Sequence, residues 1–175
     1  MFFKKTSGTL ITKKKNILSG KVIRGVSFTK NDAKVTLIGV KDKPGVAASI
    51  FEPFYKNSIN VDMVVQNISS NGKETDLTFT IKSEDLYKTE KLIRKNNKIN
   101  FRKIIIDGKV SKVSIIGVGM ITTPGVTYRM FNALAKKNIN IIVISTSEIK
   151  ISVLLNRKDL NKAVRALHKE FKLEK

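Results

Sequence analysis

The sequence predicts an α+β protein made of two tandem βαββαβ units. The first observation is a repeat. Lys34-Val35-Thr36-Leu37-Ile38-Gly39-Val40 runs into Pro44-Gly45-Val46 and returns at Ile59-Asn60-Val61-Asp62. The same order recurs as Val113-Ser114-Ile115-Ile116-Gly117-Val118, then Pro124-Gly125-Val126, then Ile139-Asn140-Ile141. Internal repetition is the strongest architectural signal a sequence carries. The second observation is that hydrophobic period switches between two and helical spacing in each unit. The third is an imbalance. The second unit reads as only three strands, while Val22 to Phe28 is a loosely alternating strand that the first unit does not need. A three-stranded unit would expose an apolar edge, so the N-terminal strand is expected to complete it and interlock the two units.

Taken in order, residues 1–20 read as a linker, with the turn-rich Thr6-Ser7-Gly8-Thr9 and the polar run Lys13-Lys14-Lys15-Asn16. Lys30-Asn31-Asp32 reads as a turn. Val35, Leu37, Ile38 and Val40 make a strand. Val46, Ala47, Ile50, Phe51 and Phe54 fall on one helical stripe. Pro53 lies within that stripe and should kink the helix or end it early, because it removes a backbone hydrogen bond. Ile59 to Val65 is the returning strand, and Gln66 to Gly72 leads to a turn. Thr75 to Ile81 alternates, with Leu77, Phe79 and Ile81 inward. Ser83 is positioned to cap a helix from Glu84 to about Asn96, with Leu86 and Ile93 inward and Tyr87 and Leu92 flanking. Phe101 to Ile106 closes the unit as a strand, and Asp107-Gly108 reads as a tight turn. The order is ferredoxin-like.

The second unit begins at Val110. Val126, Met130, Ala133 and Leu134 form an inner helix face. Ile141 to Ile144 and Ile149 to Leu155 are strands separated by Ser145-Thr146-Ser147-Glu148. Leu160, Val164, Leu167 and Phe171 make the last amphipathic stripe. The predicted domains are residues 33–108, and residues 21–30 together with 109–175.

Composition narrows the chemistry. The chain has 175 residues, no Cys, no Trp and one histidine, His168. Thiol chemistry, disulfides and His clusters are therefore excluded, and the acidic residues show no metal-ligand spacing. No apolar run approaches the ~20 residues of a membrane span, and Met1-Phe2-Phe3-Lys4-Lys5 turns polar too soon for a signal peptide, so a cytoplasmic location is expected. The net charge is +20, from 34 Lys and Arg against 14 Asp and Glu. The lysines are scattered and no basic patch alternates with aromatics as a stacking platform would, so the charge reads as compositional bias on a solvated surface rather than a nucleic-acid site. There is no nucleophile paired with a base and no phosphate-cradling glycine loop, so no catalysis is expected of this chain alone.

The Pro-Gly turns remain. Gly45 and Gly125 stand at helix starts, whose first N–H groups lack intrahelical partners and attract carboxylates. Asp42 and Asp62 could take an ammonium group, and Gln66, Asn138 and Asn140 offer amides. A plain strand-to-helix turn explains the local residues as well, but the pattern occurs twice, each time with an Asn (Asn60, Asn140) in the return.

These residues resemble the ACT domains of aspartokinases. The segments carrying the resemblance are Val35-Thr36-Leu37-Ile38-Gly39-Val40, Asp42-Lys43-Pro44-Gly45, Ile59 through Ser69 (with Gln66-Asn67-Ile68-Ser69), Pro124-Gly125-Val126-Thr127, Asn138-Ile139-Asn140-Ile141 and Ile144 through Val153. Gly8-Thr9-Leu10-Ile11 resembles the stretch that joins kinase and regulatory regions. The resemblance implies the regulatory region of an enzyme that transfers phosphate from ATP to the aspartate side-chain carboxylate. ATP and Mg would belong to an absent catalytic region, leaving no cofactor in this chain. It implies lysine and/or threonine as feedback effectors, and a homodimer through side-by-side sheets. A threonine-type site would use Asp42, Pro44, Gly45, Ala47 and Gln66, with Asn138, Asn140 and Ile141 from a facing domain. A lysine-type site would use Asp62, Val126, Thr127, Ser147 and Glu148. Pro53 and Met120-Ile121-Thr122-Thr123 depart from the family's pattern. The competing expectations are a structural dimerisation module without ligand, or a basic nucleic-acid-binding α/β module.

Overall fold

The computed structural model describes residues 22–68 and 72–173. The expected linker at 1–20 and the resemblance at Gly8 to Ile11 lie outside the described residues. The described residues hold six strands, β1 Gly25–Lys41, β2 Val64–Ile68, β3 Glu74–Lys82, β4 Lys103–Ile116, β5 Val143–Thr146 and β6 Lys150–Asn156, and four α-helices, α1 Val46–Lys56, α2 Leu86–Arg94, α3 Val126–Ala135 and α4 Leu160–Glu170. The strands form one antiparallel sheet in the order β2-β3-β1-β4-β6-β5.

The long strands β1 and β4 belong to both units. Gly25 to Thr29 pairs with Ile116 to Lys112, and Lys34 to Ile38 pairs with Asp107 to Lys103. β3 joins only the later half of β1, and β6 only the later half of β4. Each unit thus has the four-strand ferredoxin-like order, and the N-terminal strand completes the second unit. Ala33, Val35, Leu37, Ile50, Phe54, Phe79 and Ile93 belong to one core. Ile23, Val113, Ile115, Met130, Leu134, Val153 and Leu167 belong to the other.

Two expected turns are corrected to strand interior. Lys30-Asn31-Asp32 lies within β1 and Asp107-Gly108 within β4. The register explains the residue choice. From Thr29↔Lys112 to Asp32↔Val110 the chain advances three residues on β1 and two on β4; from there to Lys34↔Asp107 it advances two and three. Each strand carries one bulged residue, and a bulge uses the turn-forming side chains that ended the strand on paper. One extra residue reverses the alternation. The inward set changes from Val26 to Val35 and Leu37 on β1, and from Ile104 and Ile106 to Val113 and Ile115 on β4. The Thr29 hydroxyl donates to the Asp32 carboxylate at the β1 bulge.

Other boundaries move. The ladder of β2 starts at Val64 rather than Ile59, because Ile59, buried after the left-handed Ser58, turns into the core. β5 starts at Val143, two residues late, and β6 at Lys150. Ser83 caps no helix: a 3-10 turn occupies Ser83–Asp85 and α2 begins at Leu86 without a side-chain cap. On α2 the buried residues are Thr89 and Ile93, Leu86 and Leu92 pack at the core margin, and Tyr87 is exposed. Pro53 neither breaks nor shortens α1, which continues to Lys56.

Candidate effector site at the glycine-started helices

The repeat persists at atomic detail. Gly45 and Gly125 are the residues before α1 and α3, with φ of 84° and 86°. This left-handed conformation is one that only glycine adopts without strain. Thirteen positions later in each unit, Ser58 and Asn138 are also left-handed, with φ of 55° and 51°. Ile59 N–H donates to the Phe54 carbonyl at 2.9 Å, and Ile139 N–H to the Leu134 carbonyl at 3.1 Å. Asn138 therefore serves the helix-ending turn.

The helix starts differ in a way that bears on ligands. Neither α1 nor α3 has a side-chain cap or an acidic residue in its first turn. By contrast, Glu84 and Asp85 precede α2, and Asp159 precedes α4. All four of these helices lack a side-chain cap; α2 and α4 have acidic N-cap residues, Asp85 and Asp159, whereas α1 and α3 start behind glycine, the Val46 N–H of α1 donating to the Lys43 carbonyl at 3.2 Å. The amides and positive dipole ends of α1 and α3 suit an external carboxylate.

Around the second turn the chain forms a cavity of ≈450 Å³. Val126, Thr127, Ser147 and Glu148, four of the five lysine-type residues, line it beside Pro124 and Gly125. Ser147 N–H donates to the Lys150 carbonyl at 2.8 Å, which fixes the β5–β6 turn and presents Glu148 beside the helix start. The open amides can hold a carboxylate and Glu148 can hold an ammonium group, the two charges of an amino acid, whether the ammonium is on its α-carbon or at the end of a longer side chain. Sequence reasoning missed Thr146 as a lining residue, and noted Met120, Ile121 and Thr123 only as a departure from the family's pattern. The 3-10 turn Val118–Ile121 brings Met120 and Ile121 there, and such a turn has no period to read.

Asp62 lies apart from this cavity. Its N–H donates to the Thr80 carbonyl at 2.9 Å, and its carboxylate pairs with the Lys112 ammonium. Lys112, on β4 with its side chain 10% exposed, carries no local signal that marks it among the many lysines. Burial lowers its pKa below the ordinary value, with Lys150 adding to the effect and Asp32 opposing it.

The threonine-type residues are distributed. Asp42, Pro44, Gly45 and Ala47 form the first turn and helix start; Asp42 N–H donates to the Lys73 carbonyl at 3.0 Å and its side chain is exposed. Gln66 is exposed on edge strand β2, opposite Leu77. Asn138, Asn140 and Ile141 follow the C-terminal end of α3, the opposite end from Gly125. Among the described residues, no group of three or more His, Cys, Asp or Glu is placed to hold a metal ion. None of the described helices is long and apolar enough to cross a membrane.

Two ferredoxin-like units in one sheet, each with an open helix start behind a Pro-Gly turn, define a class: tandem ACT domains. The chain belongs to the ACT-domain family, whose model matches residues 35–96 and 113–171, and within it to the regulatory regions of aspartate kinases. It is 46% identical to an aspartate kinase of Pseudomonas fluorescens (strain SBW25) over 174 residues, 98% of this chain and 42% of that protein. It is 44% identical to an aspartokinase of Helicobacter pylori (strain ATCC 700392 / 26695) over 176 residues, 98% of this chain and 43% of that protein. The chain thus spans less than half the length of these curated relatives. A crystal structure of aspartokinase alpha and beta subunits matches with a TM-score of 0.78 at 40% identity, covering 86% of this chain and 99% of that one. The ligand-free regulatory subunit of aspartate kinase from Thermus thermophilus matches with a TM-score of 0.78 at 34% identity, with the same coverage.

Proposed function

We propose that this chain senses end-product amino acids, lysine and/or threonine, for feedback inhibition of an aspartate kinase. The observation that carries the reading is the cavity at Gly125, where an uncapped helix start faces Ser147 and Glu148. A carboxylate at the amides and a cation at Glu148 fit lysine. Threonine would be read at the first turn, as the resemblance to aspartokinases implies, where Asp42 and Gln66 would be joined by Asn138, Asn140 and Ile141 of a second copy. Edge strands β2 and β5 carry the exposed Val64, Ile68 and Ile144, which suit a homodimer through the sheet edges. The phosphate transfer itself, with ATP and Mg, would reside in an aspartokinase catalytic region in the cytoplasm. Effector binding would act by preferring one of two assembled states.

Thermal unfolding with lysine, threonine, methionine and aspartate, at two protein concentrations, tests this. A ligand at a hundredfold excess over its Kd stabilises by about 2.7 kcal/mol. A rise in Tm with lysine or threonine alone, lost for lysine in Glu148→Gln, is the expected result. No rise with any of the four would make the ligand-free dimerisation module the better reading.

A further inference from the structure

We propose that the groove between the outer sides of α3 and α4 is a docking surface for an acidic polypeptide segment. The groove encloses ≈510 Å³ and is lined by five cations, Arg129, Lys136, Lys137, Lys169 and Lys172, against one carboxylate, Glu170. That carboxylate is already engaged. Arg129 Nε donates to Glu170 Oε1 at 2.8 Å, and its guanidinium lies 4.9 Å from the Phe171 ring centroid. Lys136, Lys137 and Lys169 are exposed and have no acidic partner among the described residues. Ala133 and Ala166 also line the groove, and their small side chains let an extended backbone lie close.

The first unit supplies an internal control. It has the same fold and the same lysine-rich composition, yet carboxylates on its helix pair neutralise three cations, Lys56, Arg94 and, just beyond the helices, Lys98, leaving Lys91 and Lys95 without an acidic partner among the described residues. Glu52 holds Lys56 at 2.6 Å and Lys98 at 3.2 Å, and Glu90 holds Arg94 at 2.7 Å. Compositional bias alone would leave both helix pairs alike. The second pair instead concentrates the unneutralised ammonium groups of Lys136, Lys137 and Lys169 along one groove, and they attract an acidic partner by long-range steering. Nucleic acid is the poorer fit. No aromatic ring lines the groove for bases to stack on, and its one arginine, the residue suited to bidentate phosphate contacts, is taken by Glu170. The groove shares no lining residue with the cavity at Gly125, so the proposal stands or falls independently of effector binding.

The test is fluorescence anisotropy with a labelled ten-residue polyglutamate peptide and a labelled single-stranded RNA of ten nucleotides, at low salt. Lys136→Glu/Lys169→Glu alters the groove, and Lys91→Glu/Lys95→Glu on the first unit makes the same change in net charge. The expected result is about tenfold weaker peptide binding for the groove pair and under about threefold for the control pair. Equal losses would overturn the proposal, since net charge and not the groove would then hold the peptide. Tighter binding of RNA than of peptide, lost through the same two lysines, would overturn it in favour of nucleic acid. Lys136→Gln/Lys169→Gln guards against misfolding: unchanged Tm with about threefold weaker peptide binding supports the groove, and unchanged binding overturns it.

Discussion

Asn96 Nδ2 donates to the Ser49 carbonyl oxygen at 2.8 Å. Ser49 is the residue four before Pro53, so its carbonyl is the one that proline deprives of a donor. Asn96 lies just beyond α2, and its side chain replaces the missing backbone bond while tying α2 to α1. A proline that should have ended α1 is thereby carried within it.

This pairing predicts a coupled effect. Asn96→Ala should destabilise the protein by about 1 kcal/mol by leaving a partly buried carbonyl unpaired. In a Pro53→Ala background position 53 regains its N–H, and the same change should cost less than half as much. Urea denaturation of the four proteins in a double-mutant cycle measures the coupling. Equal costs in both backgrounds would refute the replacement.

Arg157 pins both bulges. Its Nη2 donates to the Gly108 carbonyl at 2.6 Å, the Ser83 hydroxyl at 3.1 Å and the Asp32 carbonyl at 3.3 Å. One guanidinium from the second unit thus holds the bulged stretches of β1 and β4 and the corner after β3. Arg157→Ala should cost about 2–4 kcal/mol, and Arg157→Lys should recover less than half of it, because an ammonium lacks the planar reach. Chemical denaturation midpoints read both.

Lys112 predicts a pH dependence. Its folded-state pKa lies below the ordinary 10.5, so between the two values the unfolded chain binds more protons and stability rises with pH. The ammonium is attracted by two carboxylates, Asp62, 54% exposed, and the buried Asp32. Lys112→Met removes the titrating group, so the stability difference between the parent protein and the variant should move in the parent's favour as pH approaches 10.5. Thermal unfolding of both proteins from pH 7 to pH 10 measures it; a constant difference across that range would refute the assignment.

Gly125 predicts a purely conformational cost. A Cβ there would meet nothing within 4 Å, so the left-handed backbone alone is strained. Gly125→Ala should cost about 1 kcal/mol, and Gly125→Asn less, because Asn tolerates this conformation. Equal costs, read from urea midpoints, would point to a steric clash instead.

The sequence by itself determined the two units, the glycine-started helices and most of the core. Those features rest on local signals that repeat. Val126, Met130, Ala133 and Leu134 share a helical face whatever surrounds them, and the left-handed residue that follows the proline at the helix start is glycine in both units. The lysine-type set came from the resemblance to aspartokinases and not from a local signal; the structure brings Val126, Thr127, Ser147 and Glu148 to one cavity and leaves Asp62 outside it. Only the tertiary structure decided that Lys30-Asn31-Asp32 and Asp107-Gly108 are bulges inside strands. The local preference of such residues for turns is weak, and the ladder that β1 and β4 make along both units, with Arg157 on the bulge carbonyls, outweighs it. Only the tertiary structure could pair Lys112 with Asp62 or Asn96 with Ser49. Those contacts join residues 50 and 47 positions apart, and no periodicity carries information over such distances.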